Sequence, residues 1–537
     1  MTQVSRSAHV DTFTRENLPP RATWPEFLFT LPDLQYPPSL NCADELLDRH
    51  VQSGAGAARC LVTDTQEWSY ADLLARSNQV AQALVHELGL VPGNRVLLRG
   101  PNNPWLVASW FGVIKAGGVA VTTMPLLRAG ELETMVDIAG VTMAICDHRF
   151  IKDLDAAAPD GFQILTYGSD DPDDLSKVAA TKNPRFKNVA TAADDVCMLA
   201  FTSGTTGKPK ATMHFHRDVL AIADTFSRHV LRPTPGDLFA ASPPLAFTFG
   251  LGQSVVFPMR AGAAAYLLEQ PSPPHLLEAI ERHRITVLAT APTAYRAMVP
   301  DLGAARLDSL RACVSAGETL PKATWDAVHD ACGIRIIDGI GSTEMLHIFI
   351  SAEGDQIRPG STGRAVPGYV AEVQDPEGRP VPDGELGRLA VKGPTGCRYL
   401  RGDRQATYVQ DGWNVTGDVY VRDGDGYFHY QARADDMIVS AGYNIAGPEV
   451  EEALLRHPAV AEAAVVGAPD EERGMLVKAV VVLRPGAQLG PDPAKALQDF
   501  VKSQIAPYKY PRAIEFADTL PRTATGKLQR FRLRERS

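Results

Sequence analysis

Thr202–Lys210, with the sequence TSGTTGKPK, gathers glycines, hydroxyl side chains and lysines into one short stretch. It follows the apolar run Val196–Phe201, which predicts a buried β-strand ending just before it. Gly204 and Gly207 allow a tight turn in which N–H, hydroxyl and ammonium groups converge, and this combination suits a polyphosphate. The spacing is not that of a P-loop, because two residues separate the glycines. A hydrophilic surface loop is therefore the open alternative.

Two further glycine-containing stretches follow predicted strands. Ser315–Leu320 (SAGETL) comes after the apolar run Ala312–Ser315. Asp338–Glu344 (DGIGSTE) comes after the short run Ile334–Ile337. Ligands of parallel sheets bind at the carboxyl ends of strands, where glycine permits close approach of the backbone to a flat ring. Glu344 adds the carboxylate oxygen that a hard cation prefers. For the first stretch, a plain strand-to-helix turn is the alternative.

Short motifs with charged or glycine residues recur towards the C-terminus. They are Trp413–Asp418 (WNVTGD), Arg433–Ile438 (RADDMI), Ser440–Asn444 (SAGYN) and Pro521–Lys527 (PRTATGK). Each has an ordinary explanation, since an aspartate after Thr-Gly is a common turn residue and a lysine near a chain end is usually solvated. Their order along the chain, and not any one of them, carries the information.

In this order the motifs resemble the signatures of the adenylate-forming superfamily, which comprises acyl-CoA synthetases, adenylation domains and luciferases. The segments 17–27 and Ser242–Gly252 look most like 2-aminobenzoate–CoA ligases, close relatives of benzoate–CoA ligases. The resemblance extends over nearly the whole chain. It implies an AMP-forming acid–thiol ligase that uses ATP, Mg²⁺ and coenzyme A.

The resemblance also implies which residues bind the nucleotide. They are Thr202, Ser203, Gly204, Thr205, Thr206, Gly207, Lys208, Gly317, Glu318, Asp338, Gly339, Ile340, Gly341, Ser342, Thr343, Asp418, Arg433 and Lys527. Lys527, Glu344 and Thr205 would be catalytic, and Glu344 would also hold the metal. Ile340 departs from the pattern, because many relatives have a tyrosine there, so adenine would be covered by an aliphatic side chain.

Further positions follow from the same resemblance. Asp435 would be the hinge between two domains, and Gly442 and Tyr443 would line the tunnel for coenzyme A. The acyl pocket would be formed by Ala246, Phe247, Thr248, Phe249, Gly250, Gly341 and His347. Aromatic walls around small glycines suit a flat ring better than a long alkyl tail. His347 would hydrogen-bond an ortho substituent or a carboxylate, or else be a structural histidine.

The elements that must position these residues alternate between strand and helix up to about residue 360. Arg95–Arg99, the amphipathic stretch Trp105–Ala116 and Val119–Thr123 illustrate the pattern, which predicts an α/β fold with parallel sheets covered by helices. Short runs split by Gly, Pro and Asp then predict an antiparallel, barrel-like subdomain. The predicted domains are an N-terminal adenylation domain at 1–434, including the barrel-like part at about 360–434, and a mobile α+β domain at 436–537.

Composition limits the partners. The 537 residues carry a formal net charge of −10, which argues against a nucleic-acid or anionic-membrane partner. The seven cysteines are scattered without a Cys-x-x-Cys pair, which favours a reducing, cytoplasmic location over disulfides or a zinc knuckle. His214 and His216 have metal-like spacing but no evident third ligand, so we interpret them as structural. The charge-free stretch Leu238–Met259 contains prolines and glycines that favour a buried strand–loop–helix over membrane insertion.

The predicted activity is that of an aryl-CoA ligase, with 2-aminobenzoate as the best substrate and benzoate or salicylate as the nearest alternatives. A free-standing enzyme that loads a carrier-protein thiol is a second hypothesis. A non-catalytic nucleotide-binding protein is a third, disfavoured because Lys527 and Glu344 are both present. The expected oligomeric state is monomer or homodimer.

Overall fold

The computed structural model describes residues 6–202, 209–402, 404–440, 443–470, 473–487, 489–522 and 528–534. The strands are β1 Arg59–Val62, β2 Glu67–Ser69, β3 Arg95–Arg99, β4 Val119–Thr123, β5 Met143–Asp147, β6 Gln163–Tyr167, β7 Val196–Thr202, β8 Lys210–Phe215, β9 Leu238–Ala241, β10 Ala264–Tyr266, β11 Val287–Thr290, β12 Ala312–Ser315, β13 Ile336–Gly341, β14 Ile348–Ser351, β15 Arg364–Ala365, β16 Val370–Gln374, β17 Leu386–Lys392, β18 Val409–Gln410, β19 Trp413–Arg422, β20 Phe428–Arg433, β21 Ile438–Ser440, β22 Tyr443–Ile445, β23 Val460–Asp470, β24 Gly474–Leu483 and β25 Ala513–Phe516.

The α-helices connect and cover these strands. They are α1 Phe13–Glu16, α2 Arg49–Gln52, α3 Tyr70–His86, α4 Pro104–Lys115, α5 Ala129–Ala139, α6 Ile151–Ala157, α7 Leu175–Ala180, α8 His216–Ile222, α9 Thr248–Leu251, α10 Phe257–Ala261, α11 Pro273–His283, α12 Pro292–Leu302, α13 Lys322–Cys332, α14 Gln405–Tyr408, α15 Gly447–Leu455, α16 Pro493–Gln504 and α17 Arg530–Arg534. None of the described helices is both long enough and apolar enough to cross a bilayer.

One sheet of the N-terminal region has the strand order β6-β5-β3-β4-β7-β8. Its strands run parallel as far as β7, and β8 returns antiparallel to β7. Strands β3, β4 and β5 are buried along their whole length, as expected for strands covered on both faces. This sheet confirms the predicted parallel α/β arrangement and brings the ends of β3, β4 and β7 to one edge.

A second sheet has the order β15-β14-β13-β12-β11-β9-β10-β1-β2, with parallel pairing from β1 through β13. The prediction that Asp338–Glu344 follows a strand ending at Ile337 is wrong, since β13 runs on to Gly341. Glycine explains the extension. A Cβ at Gly339 would lie 2.8 Å from the side chain of Ile348, and one at Gly341 would lie 2.6 Å from the carbonyl oxygen of His347. The backbone of β14 can therefore pair closely with this end of β13.

The remaining strands form two smaller sheets. β16, β17, β19, β18 and β20 pair antiparallel, as predicted for the subdomain after about residue 360. β22, β21, β24, β23 and β25 form the C-terminal sheet, which packs with α15 and α16 around its own apolar cluster, including Val450, Leu454 and Leu497. The α+β character of the C-terminal region is confirmed. The domain boundaries around residue 435 stay a prediction.

Candidate functional site

The ends of β7 and β8 flank the predicted phosphate loop. Thr202 closes β7 and pairs in register with Lys210, the first residue of β8. Within the described residues the Lys210 amino group is buried without a hydrogen-bond partner. Burial and the nearby Arg404 lower its pKa, while the charge of Glu344 opposes this shift. A buried amino group that lacks a protein partner fits an anionic ligand such as phosphate. The predicted Ser203, Gly204, Thr205, Thr206, Gly207 and Lys208 lie outside the described residues.

A tyrosine orients Glu344. The Tyr399 hydroxyl donates a 2.6 Å hydrogen bond to Oε1 of Glu344, and Tyr399 is nearly fully buried. Burial and the charge of Glu344 raise the pKa of Tyr399 far above its ordinary value, so the phenol keeps its proton and remains a donor. The ring of Tyr408 lies edge-on to that of Tyr399, with centres 5.9 Å apart, and its hydroxyl oxygen is 3.3 Å from Oγ of Ser342.

The arrangement around Glu344 fits a divalent cation. Its oriented carboxylate is bonded to a neutral phenol, and in the described part of the chain it forms no ion pair with a lysine or arginine. A carboxylate oxygen is a ligand that Mg²⁺ prefers, and phosphate oxygens of a substrate commonly complete such a site. Thr343 lies between Glu344 and Ser342 in the same turn, which follows the end of β13.

The facing ends of β12 and β13 form a cradle beside a buried carboxyl group. Ser315 pairs in register with Asp338, so Gly317 and the predicted Glu318 lie just beyond this pair. Gly317 has φ +88°, and a Cβ added to it would meet nothing within 4 Å. Burial raises the pKa of Asp338 to about 8, and its Oδ1 has no hydrogen-bond partner within the described residues. Open space next to an unpartnered polar atom fits the edge of a nucleobase.

The raised pKa of Asp338 predicts a pH-dependent stability. Between its ordinary value of 3.8 and about 8 the folded protein holds a proton that the unfolded chain has released. The free energy of unfolding should therefore fall as pH rises, by at most about 1.4 kcal/mol per pH unit from this group. Asp338→Asn should flatten that slope between pH 5 and 8 in urea unfolding of the nucleotide-free protein. Parallel slopes for the two proteins would contradict the assignment.

The predicted ribose residues are already paired with each other. Asp418 on β19 and Arg433 on β20 lie opposite in register, and Nη1 of Arg433 donates to Oδ1 of Asp418 over 2.9 Å. The charge of Asp418 raises the pKa of Arg433 further. Gly417 has φ +78°, and a Cβ there would lie 3.3 Å from Arg433, so glycine allows the pair to form. Asp435 lies in the short 3₁₀ turn Ala434–Asp436 that follows.

The C-terminal domain reaches the nucleotide motifs through Arg522. Its Nη1 lies 3.6 Å from Oε1 of Glu318, and its Nη2 bonds Glu462 of the C-terminal sheet. Arg522 also pairs with Leu528 in an isolated antiparallel bridge. Residues 523–527, with the predicted Lys527, lie between these two positions and outside the described residues. Arg522, which precedes Lys527 by five positions in the sequence, is therefore beside Glu318. Gly442 is outside the described residues, and Tyr443 is 54% exposed.

The predicted acyl pocket consists of a short helix facing a histidine. Ala246 and Phe247 lead into α9, which contains Thr248, Phe249 and Gly250 and continues as a π-helical turn, Gly252–Val256. Gly250 packs directly on backbone, since a Cβ there would lie 2.2 Å from the carbonyl oxygen of Pro244. Gly252 faces His347, because its Cβ would lie 2.4 Å from Cδ2 of that ring. Gly341 touches the backbone of His347, so these two predicted pocket residues are direct neighbours.

His347 is a buried, neutral histidine inside an aromatic cage. Its ring centre lies 4.5 Å from that of Phe257, 5.5 Å from Phe226 and 5.7 Å from Phe249. Burial lowers its pKa to about 3. The nearby backbone of Phe249 opposes this shift, and in the described part of the chain neither ring nitrogen makes a hydrogen bond of standard geometry. Aromatic side chains around one neutral imidazole suit an aromatic ligand that carries a small polar group.

Sequence reasoning missed three side chains near Glu344. Tyr399 and Tyr408 stood in no predicted motif, and Lys210 closed the phosphate stretch without being assigned a role. The pattern held no signal for the tyrosines, because nothing local shows that Tyr399 will bond Glu344, 55 positions away, or that Tyr408 will contact Ser342, 66 positions away. Lys210 could have been found, since it is the residue that begins the strand returning from the loop. The roles of all the site residues stay predictions.

The expectation that no third ligand candidate lies near the paired histidines is wrong. Two sulfurs, from Cys42 and Cys197, lie within 4.8 Å of one another and of a ring nitrogen of His216, although the first is 174 residues distant in sequence. Nδ1 of His216 accepts the backbone N–H of Cys42 over 3.2 Å, so this nitrogen already has a protein partner. His214 instead meets Thr212. We regard the group as a buried hydrogen-bond network.

The family model "AMP-binding enzyme" matches residues 47–399, and "AMP-binding enzyme C-terminal domain" matches residues 449–527. A benzoate–CoA ligase of Thauera aromatica is 36% identical over 514 residues, covering 94% of this chain and 98% of the relative. A 3-hydroxybenzoate–CoA ligase of Aromatoleum sp. (strain CIB) is 30% identical, covering 93% of this chain and 97% of the relative.

Solved structures are similar over the same length. An anthranilate CoA ligase in complex with anthranoyl-AMP superimposes with a TM-score of 0.89 at 34% identity, covering 94% of this chain and 99% of the other. A benzoate CoA ligase from Burkholderia xenovorans LB400 gives a TM-score of 0.85 at 34% identity, covering 92% of this chain and 100% of the other.

Proposed function

We propose an aromatic carboxylate as the substrate of this chain, which belongs to the AMP-binding enzyme family and is an AMP-forming acid–thiol ligase. The observation that carries the proposal is the cluster of aromatic rings around His347, whose neighbour Gly341 ends the strand that leads to Glu344. The acid would therefore lie beside the group that holds the metal and phosphate. Relatives of similar length act on benzoate and anthranilate, both flat aromatic acids.

The first half-reaction joins two anions. A carboxylate oxygen of the acid attacks the α-phosphorus of ATP, pyrophosphate leaves, and an acyl-adenylate forms with AMP as a far better leaving group than oxide. Mg²⁺ held at Glu344 would supply positive charge to the phosphate oxygens. Lys210, whose amino group has no hydrogen-bond partner among the described residues, and Lys527 would offset the remaining negative charge. Stabilising charge that develops in the transition state is usually the largest catalytic contribution.

The second half-reaction transfers the acyl group to a thiol. The thiol of coenzyme A attacks the acyl carbon and displaces AMP. We assign this step to a second orientation of the C-terminal domain, reached by rotation at Asp435. In the present orientation Arg522 lies at Glu318 while Tyr443 is exposed, which supports an arrangement suited to the first step. Rotation would withdraw Lys527 and bring Gly442 and Tyr443 to the acyl-adenylate.

Among aromatic acids we propose 2-aminobenzoate. Within the described residues the neutral ring of His347 makes no hydrogen bond of standard geometry, so one of its nitrogens would be available to an ortho amino group of the acid. Benzoate and salicylate are the nearest alternatives. A buried polar atom without a partner is costly, so the acid that satisfies it should be preferred.

A substrate panel tests the proposal. The purified chain is given ATP, Mg²⁺, coenzyme A and one acid at a time, chosen from 2-aminobenzoate, benzoate, salicylate, 4-aminobenzoate, octanoate and palmitate, and AMP release is measured. We expect 2-aminobenzoate to have the highest kcat/KM and the fatty acids to be poor. A preference for octanoate would overturn the aromatic assignment. Replacing coenzyme A by a phosphopantetheinylated carrier protein tests the carrier-loading alternative, which predicts faster AMP release with the carrier.

A further inference from the structure

Asn102 joins the two sheets of the N-terminal region. It lies in the turn between β3 and α4, at the edge of the first sheet, and is 4% exposed. Its Nδ2 donates to the carbonyl oxygen of Pro243 over 3.1 Å, and its Oδ1 accepts the backbone N–H of Leu245 over 2.7 Å. Both partners belong to the loop that follows β9 in the second sheet. One amide side chain therefore satisfies a donor and an acceptor of that loop.

Thr122 makes a parallel contact from the neighbouring strand β4. Its Oγ1 donates to the carbonyl oxygen of Ala246 over 3.1 Å, and the residue is 8% exposed. Strands β3 and β4 pair side by side, so Asn102 and Thr122 approach the loop from adjacent positions of one sheet edge. Together they hold three backbone groups, from Pro243, Leu245 and Ala246, just before the helix that lines the acyl pocket.

The loop and the pocket helix are packed directly against each other. The Phe247 N–H donates to the Pro244 carbonyl over 3.0 Å, and Gly250 packs against the carbonyls of both prolines, where a Cβ would lie only 2.2 and 2.5 Å from the two oxygens. Two residues further, Gly252 is in contact with the ring of His347. The Pro243 carbonyl that Asn102 binds is therefore connected to His347 through direct packing contacts at Gly250 and Gly252.

We propose that Asn102 and Thr122 are positioning residues that set the width of the acyl pocket and so decide which acids it accepts. This inference rests on the proposed function of the pocket as the site for an aromatic acid. Removing the Asn102 amide leaves a buried donor and a buried acceptor without partners, so the loop shifts or admits water. A displacement of about 1 Å at residues outside the chemistry can cost about 100-fold in rate.

Side-chain deletions at these two positions test the inference. We expect Asn102→Ala and Thr122→Val to raise the KM for 2-aminobenzoate by about 10-fold, to leave the KM for ATP within about twofold, and to narrow the preference for 2-aminobenzoate over benzoate. Thr122→Ser keeps a hydroxyl at this position, so its KM for 2-aminobenzoate should be close to that of the unaltered chain. If Asn102→Ala does not fold, the comparison of Thr122→Val with Thr122→Ser still tests the inference.

Asn103 supplies the matched control. Its side chain caps α4 by accepting the N–H of Leu106 over 3.0 Å, and it donates to Glu269. Asn103→Ala should therefore lower the thermal stability and leave the KM for the acid unchanged. The inference would be overturned if the variants changed the KM values for acid and ATP equally, or if, like Asn103→Ala, they lowered only the thermal stability. It would also be overturned if Thr122→Ser had the same raised KM for the acid as Thr122→Val.

The same assay separates this inference from the proposed function. If the unaltered chain prefers a fatty acid, the aromatic proposal fails, while the selectivity test proceeds with that acid. If the unaltered chain activates aromatic acids and the variants keep its selectivity, the positioning inference fails alone. Absence of activation with every acid in the panel overturns both.

Discussion

Lys527→Ala should reduce acyl-adenylate formation by about 100- to 1,000-fold while leaving most of the thioester step intact. The ammonium group is expected to bridge the carboxylate and the α-phosphate in the first step and to be withdrawn in the second. ATP–pyrophosphate exchange dependent on 2-aminobenzoate measures the first step. Acyl-CoA formation from synthetic 2-aminobenzoyl-adenylate measures the second. The position of Arg522 at Glu318 supports the approach of this segment to the nucleotide.

Lys502→Ala is the control for Lys527→Ala. Lys502 also belongs to the C-terminal domain, where it lies on α16 and donates to Asp499. Loss of this exposed pair should leave both half-reactions within about twofold, since surface ion pairs contribute little. Equal losses of adenylation and thioester formation in Lys527→Ala would contradict the assigned role.

Glu344→Gln should reduce adenylation by about 100- to 1,000-fold and raise the Mg²⁺ concentration needed for half-maximal exchange. Glutamine keeps an oxygen that can accept the hydrogen bond of Tyr399, so the local geometry is preserved while the negative charge is removed. The measurement is pyrophosphate exchange over a series of Mg²⁺ concentrations, together with Mn²⁺ binding by electron paramagnetic resonance in the presence of ATP.

Tyr399→Phe separates charge from orientation. It removes the 2.6 Å hydrogen bond but keeps the carboxylate, so the loss of exchange should be smaller, about 10-fold. A Glu344→Gln variant with unchanged Mg²⁺ dependence and unchanged Mn²⁺ binding would contradict the assignment of Glu344 as the metal ligand.

Much of the scaffold was predictable because it depends on local pattern. Apolar runs such as 95–99 and 119–123 can only be buried on both faces, and the structure confirms them as inner strands. Glycine and proline breaks likewise predicted that Leu238–Met259 would be interrupted, and it forms β9, α9 and α10. The end of β13 was predicted wrongly, since its glycines allow pairing with β14 that no local propensity reveals.

The residues of the candidate site also differ in whether the sequence could identify them. Motif residues such as Asp418 and Arg433 could be named in advance, because the resemblance places each of them in a short contiguous signature. Tyr399 and Asn102 could not, because each acts through a partner far away in sequence, 55 and 141 residues respectively. Hydrogen bonds of this kind exist only after the chain has folded.

By itself, the sequence determined the α/β class, which depends on the alternation of strand and helix patterns, and it carried the ordered short motifs whose resemblance to a known family implies the nucleotide and carboxylate residues. Tertiary structure alone decided that the buried Asp338 keeps its proton up to about pH 8, that Tyr399 orients Glu344, and that Asn102 holds the acyl loop. The reason is physical: burial and long-range hydrogen bonding are properties of neighbours in space, and the two sheets become neighbours only when they pack together.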